Sequence, residues 1–137
     1  ELYDNGLEHV MVALPDVDTV RELEPDMARL GLMSHSGTSC FALAGKGVIT
    51  RMFAPRLGVP EDPATGSAAG PVVCYLVRHG LVESGTPVSI AQGEQVGRPS
   101  ELTAVAHGSV RAIEKVVVGG SAVIVSRGEF RLPPPVS

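Results

Sequence analysis

A chain of 137 residues, 44% hydrophobic and 19% charged, is long enough to bury one core and too apolar to stay disordered. Its net charge of -4, with no cluster of Lys or Arg, excludes nucleic acid and anionic membranes as expected partners. No stretch reads as a signal peptide or a membrane span: the longest charge-free run, PATGSAAGPVVCYLV, is too short and too rich in Gly and Pro.

The two cysteines, Cys40 in SCFALA and Cys74 in VVCYLV, keep apolar company. Reduced core thiols of a cytoplasmic protein fit that setting better than a disulfide or a metal pair. The chain opens ELYDNG without an initiator Met, as a segment of something longer would, or as a chain from which a Met or tag has been omitted.

The first strand, HVMVAL, follows DNG, where Asn5-Gly6 is most simply a turn. DVDTVRELEPDMARLGL then places Val20, Leu23, Met27 and Leu30 at helical spacing behind a cap at Asp16 or Asp18. Pro25 splits this amphipathic stretch into two short surface helices. SCFALA and VITRMFA flank GKG as a hairpin. Further strands are PVSIAQG, ELTAVAH, VRAIEKVVV and SAVIVSRGEFRL, the last two joined at Gly119-Gly120. The Pro-rich end, 133–137, reads as a frayed, disordered tail, which leaves one domain over residues 1–132.

One segment differs from the rest. From about Ser67 to His79, Ala68, Ala69, Val72, Val73, Cys74, Leu76 and Val77 leave a helix no polar face, and a helix apolar all round must be buried all round. Only the strands can surround it. The expected fold is therefore α+β, a curved, mostly antiparallel sheet wrapped around one buried central helix. Pro71 lies beyond the first helical residues and frees a carbonyl, which puts the start of the helix proper later than Ser67.

The start of such a helix exposes unpaired N–H groups and the positive end of its dipole, a ready site for a carboxylate or phosphate. Thr65, Gly66 and Ser67 keep the approach to it small. Asp62, confined between Pro60 and Pro63, can cap the helix, accept a substrate's amine or hydroxyl, or move a proton. Composition leaves two readings open, because Asp62, Thr65 and Ser67 are also favoured capping residues.

The stretch RMFAPRLGVPEDPATGSA, Arg51 to Ala68, resembles the signature of the PhzF-like isomerase family of phenazine biosynthesis. YDNGLEHVMVAL, QGEQVGRPS and VVVGGSAVIVSRGEFRLP agree with that family in order, and together they match only the C-terminal half of a member. The resemblance implies a half of the diaminopimelate epimerase fold, hot-dog-like, with the active site in a cleft between two such halves. It assigns Asp62 and Ser67 to catalysis, and Ala64, Thr65 and Gly66 to binding a substrate carboxylate through turn amides. Asn5 is a further lead, since a turn with Asn touches substrate in the related epimerases. The implied reaction is cofactor-free proton transfer at carbon on a small carboxylated metabolite, with carboxylates in place of the epimerases' paired cysteines. The family's principal glutamate and its assisting histidine belong to an N-terminal domain absent from this sequence.

Other residues carry less. His9, His35, His79 and His107 lack ligand-like or catalytic spacing, and each reads as a surface or strand residue, so no metal is expected. Glu61 points away from Asp62 in an extended segment. Arg56 and Arg98 could greet an acidic substrate or merely tie down loops, and QGEQVG lacks the ending of a phosphate loop. Three functions follow: an isomerase half completed by an N-terminal domain or subunit, a non-catalytic module for small carboxylates, and a homodimer that mimics the two-domain body.

Overall fold

The structure, a computed structural model, describes residues 1–33 and 37–132; His35 and the tail 133–137 lie outside them. In chain order come β1 (Leu2–Asp4), β2 (Glu8–Ala13), α1 (Val17–Arg21), α2 (Met27–Met33), β3 (Gly37–Ala44) and β4 (Gly47–Ala54). A 3-10 turn (Pro55–Leu57) then leads to β5 (Val59–Asp62), α3 (Gly66–Arg78), β6 (Val88–Gln92), β7 (Ser100–Ser109) and β8 (Ala112–Gly120). The fold is α+β, with a single curled sheet of eight strands in the order β1-β2-β3-β4-β6-β7-β8 and β5 added beside β4. Five of its pairings are antiparallel; β2–β3 and β4–β6 are parallel. Parallel neighbours need a crossover. Helices α1 and α2 supply the first, and β5 with α3 supplies the second.

The two crossovers cover opposite faces of the central strands. Along β3 and β4 the side chains alternate: Ala42 and Ile49 meet Val20 of α1, whereas Phe41 and Val48 join Val72, Val73, Leu76 and Val77 of α3. That second cluster also takes Met11, Val88, Ile90, Leu102, Ala104 and Ala106, so α3 shares one core with five strands. Pro25 separates α1 from α2 as expected, and Asp16 caps α1 by accepting from Thr19 N–H at 2.7 Å. Buried Arg51 holds the outer layer in place: its guanidinium donates to the carbonyl of Leu23 at 2.7 Å and, in bidentate fashion, to Glu61 at 2.8 and 2.9 Å.

Four expectations need correction. First, α3 starts at Gly66 despite Pro71, which is buried within it. Second, the burial of α3 is incomplete, because Ser67, Cys74 and Tyr75 are half-buried and Gly66 and Arg78 are exposed. Third, the final hairpin turns at Val110-Arg111, not at Gly119-Gly120, which pair with Thr103 and Leu102 inside the ladder. Gly108 marks an irregularity close to this turn. It sits at a bulge with φ +129°, where a side chain would strike the backbone of Ala112 and Glu114. Fourth, 121–132 forms no strand, and Val123, Ile124, Val125, Phe130 and Leu132 are each at least 76% exposed. Strand propensity alone does not make a strand without neighbours to pack against.

No helix among the described residues is long and apolar enough to cross a membrane. His9 is a strand residue on β2, and it is buried to 1% exposure. Burial alone holds its imidazole below the usual histidine range, so the folded protein keeps it neutral.

Two outcomes are expected. Leu76→Ala, at a fully buried position, should lower unfolding free energy in denaturant melts by about 2–5 kcal/mol. For His9 the unfolded chain binds a proton as pH falls through about 6.5 while the folded chain resists it, so stability drops on acidification. His9→Leu should flatten the dependence of melting temperature on pH between about 7 and 5.

Candidate functional site

The tip of α3 is built by β5 below it and the end of β6 beside it. Expected as a restricted loop, Val59–Asp62 is a short strand paired with β4, Asp62 opposite Met52. Alternation along β5 separates the two neighbouring acids. Glu61 turns to Arg51 and is 9% exposed, as befits an anchor, while Asp62 turns to the helix.

Thr65 is the N-cap residue of α3, yet its side chain makes no capping bond. Its hydroxyl instead donates to Asp62 Oδ2 at 2.6 Å and accepts from Gln92 Nε2 at 2.9 Å. Gln92 Nε2 also donates to the carbonyl of Asp62 at 2.6 Å, and its Oε1 accepts from Thr65 N–H at 3.4 Å. The Thr65 carbonyl takes the N–H groups of Ala68 and Ala69. Among the described residues no hydrogen bond uses the N–H of Gly66 or Ser67. The helix therefore presents two free amides beside an oriented carboxylate.

Gly66 lines a cleft of about 320 Å³ together with Tyr3, Asn5, Gly70, Cys74 and Val116. A side chain added at Gly66 would meet nothing within 4 Å, so this approach is open. The floor of the cleft is the incompletely buried stripe of α3. Its walls are β1 and β8, the two outer strands of the sheet. Cys74 and Cys40 are free thiols; burial raises the pKa of both, that of Cys40 to about 11 despite nearby Arg51, so neither is poised as a nucleophile.

Pro71 has no N–H to give to the carbonyl of Ser67, one turn earlier. Asn5 Nδ2 supplies the missing donor at 2.8 Å. Asn5 thus borders the cleft while its amide nitrogen serves the helix backbone. The structure brings Asp62 and Thr65 into contact and joins Asn5 to Ser67, with Gly66 between them and Ala64 exposed just before the cap. Arg56 and Arg98 are exposed and do not line the cleft. His79 stacks on Tyr75 and bonds Glu1, and His107 lies exposed on β7. Among the described residues no group of three or more His, Cys, Asp or Glu is placed to hold a metal ion.

Sequence reasoning missed Gln92 and its neighbour Gly93. One signal was present: in β6 Val88, Ile90 and Gln92 occupy the buried register, so a polar side chain stands where the pattern calls for an apolar one. At Gly93, φ is +87° and an added side chain would lie 2.6 Å from the Pro63 carbonyl. Only glycine lets the end of β6 approach the segment that carries Asp62.

A family model described as phenazine biosynthesis-like protein matches residues 1–128. The trans-2,3-dihydro-3-hydroxyanthranilate isomerases of Pseudomonas fluorescens and Pseudomonas aeruginosa are 46% and 41% identical over 132 residues, 96% of this chain and 48% of each relative. An uncharacterized isomerase of Deinococcus radiodurans is 37% identical over 131 residues, 90% of this chain and 42% of its own length. A crystal structure of a phenazine biosynthesis protein of the PhzF family from Enterococcus faecalis superposes with a TM-score of 0.70 at 26% identity, covering 96% of this chain and 46% of that one. The chain spans about half the length of the curated relatives it matches.

The Asn5–Ser67 bond is testable by a double-mutant cycle. Asn5→Ala should destabilise the protein by about 0.5–1.5 kcal/mol. In a Pro71→Ala background the restored N–H reaches Ser67 itself, and the same change should cost close to nothing in denaturant melts.

Proposed function

The chain belongs to the phenazine biosynthesis-like protein family, and we propose that it is the C-terminal half of an isomerase acting on a small carboxylated metabolite. In this reading α3 is the central rod of the wrapped sheet, and its tip faces a companion half that completes the active site. The substrate carboxylate accepts from the N–H groups of Gly66 and Ser67, where the helix dipole favours negative charge. Asp62 holds or moves the proton at carbon, and the Thr65 hydroxyl fixes which of its oxygens faces the substrate. Ser67 contributes its hydroxyl to the same tip, while Ala64 and Asn5 shape the approach. The reaction needs no cofactor, the second acid–base group comes from the companion, and two free thiols suit the cytoplasm.

One observation carries this reading: Thr65 gives its proton to Asp62, at 2.6 Å, and leaves the helix tip uncapped. A residue there for stability alone would accept from the N–H one turn ahead. The names of the relatives support isomerisation as the reaction class. A second reading, a non-catalytic module for small carboxylates, alone or as a homodimer, is favoured by the fact that the anion-receptive amides belong wholly to this chain.

The test is complementation. Mixed with a matching N-terminal half, the chain should gain isomerase turnover, measured by solvent deuterium incorporated into a small carboxylated substrate. Asp62→Asn should lower that turnover by about 10²-fold or more, while stability changes by about 1 kcal/mol or less. Full turnover in the variant would remove Asp62 from the chemistry. Carboxylate binding with no turnover after mixing would favour the binding module.

A further inference from the structure

The inner face of the sheet carries an anomaly under the first turns of α3. His9, Ser39 and Thr50 are buried to 1%, 0% and 3% exposure, and both ring nitrogens of His9, Ser39 Oγ and Thr50 Oγ1 lack any hydrogen-bond partner. Whichever tautomer His9 adopts, one ring nitrogen is a donor and the other an acceptor. Leaving such groups unmet in an apolar interior costs about 1–3 kcal/mol each. Buried polar groups of this kind are normally met by ordered water.

The orphans are not scattered. His9 pairs with Gly37 in the β2–β3 register, and the Met52 methyl and the His9 ring, its Nδ1 3.2 Å from where a side chain at Gly37 would begin, together cover that glycine. Ser39 is the next inward position on β3 and pairs with Met52; Thr50 is one inward step from Met52 on β4 and pairs directly with Gln92 of β6. The polar side chains thus run diagonally across four strands, His9 to Ser39 to Thr50 to Gln92, and end at the network that orients Asp62. From α3, small Ala68 packs with Met52 and Ala54, and Ala69 joins the core that holds Met11 and Phe41.

We propose that His9, Ser39 and Thr50 hold a file of internal water beneath the tip of α3, and that this file makes His9 a positioning residue for the Gln92–Thr65–Asp62 network. Water at Thr50 donates to Gln92 Oε1. Hydrogen bonds in a chain polarise one another, so the Gln92 amide then donates more strongly to Thr65, and Thr65 to Asp62. The consequence for turnover rests on the reading of Asp62 given above; the file itself does not.

The experiment is NMR and crystallography of the wild-type chain and of His9→Leu, Ser39→Ala, Thr50→Val and Thr50→Ser. A high-resolution crystal structure should show ordered water within hydrogen-bond distance of His9, Ser39 and Thr50. The His9 ring should appear as one neutral tautomer with a slowly exchanging N–H. Although His9 does not touch Gln92, His9→Leu should shift the Gln92 side-chain amide protons and speed exchange of the Thr65 hydroxyl proton. Thr50→Val should do the same, and Thr50→Ser should restore the wild-type signals. A dry interior at these three residues would overturn the proposal. So would Gln92 and Thr65 signals unchanged in both Ser39→Ala and Thr50→Val, should His9→Leu fail to fold. Neither result bears on whether the completed enzyme turns over, so failure of the water file and failure of the isomerase reading remain distinct.

Discussion

A threonine hydroxyl has one proton to donate, and at Thr65 that proton goes to a carboxylate. Everything specific about the tip of α3 follows from this choice. Had the hydroxyl turned toward its own helix it would have met an amide of the first turn, and the tip would be an ordinary capped end. Here the hydroxyl proton fixes the orientation of Asp62 while the hydroxyl oxygen accepts from Gln92 and not from the helix, so the amides stay free. Gln92 secures the arrangement from the neighbouring strand by holding the Asp62 carbonyl and the Thr65 hydroxyl with one amide nitrogen.

Around this point the fold supplies rigidity from two directions. On the outer face, Arg51 binds Glu61 and the carbonyls that end α1, so the residue beside Asp62 is fixed by a buried bidentate pair. Removing either partner would strand a charge in a place that water barely reaches. On the other side, Gly93 admits the end of β6 against Pro63. The acidic strand is thus held between a salt bridge and a backbone contact, neither of which touches the cleft.

The sequence made much of this legible, and the failures have physical causes. The apolar run from Ala68 to Val77 marked a helix that packs into the core, but its all-round burial did not hold, because Cys74 and Tyr75 stay half-buried. The GKG hairpin and the Pro25 break follow from local backbone chemistry, and local chemistry is readable. Pro71 misled because the donor that repairs its missing bond is Asn5, 62 positions before the Ser67 carbonyl it serves. The late hairpin misled because Gly119 and Gly120 extend the ladder between β7 and β8 instead of ending it, and that pairing is set by the partner strand. At the site, Asp62 and its neighbours lie within one short motif, whereas Gln92 and Arg51 act across strands, and the pairing of strands is not written in local spacing.

The remote origin of the donor for Ser67 also orders how the domain comes together. The later turns of α3, from Val72 onward, can close their hydrogen bonds from within the helix. The opening turn cannot, because one of its carbonyls depends on an asparagine in the turn that follows the outermost strand, β1. Contacts between distant segments form late, after the chain has already surrendered most of its freedom. The opening turn of the helix is therefore complete only when the start of the chain is packed against it.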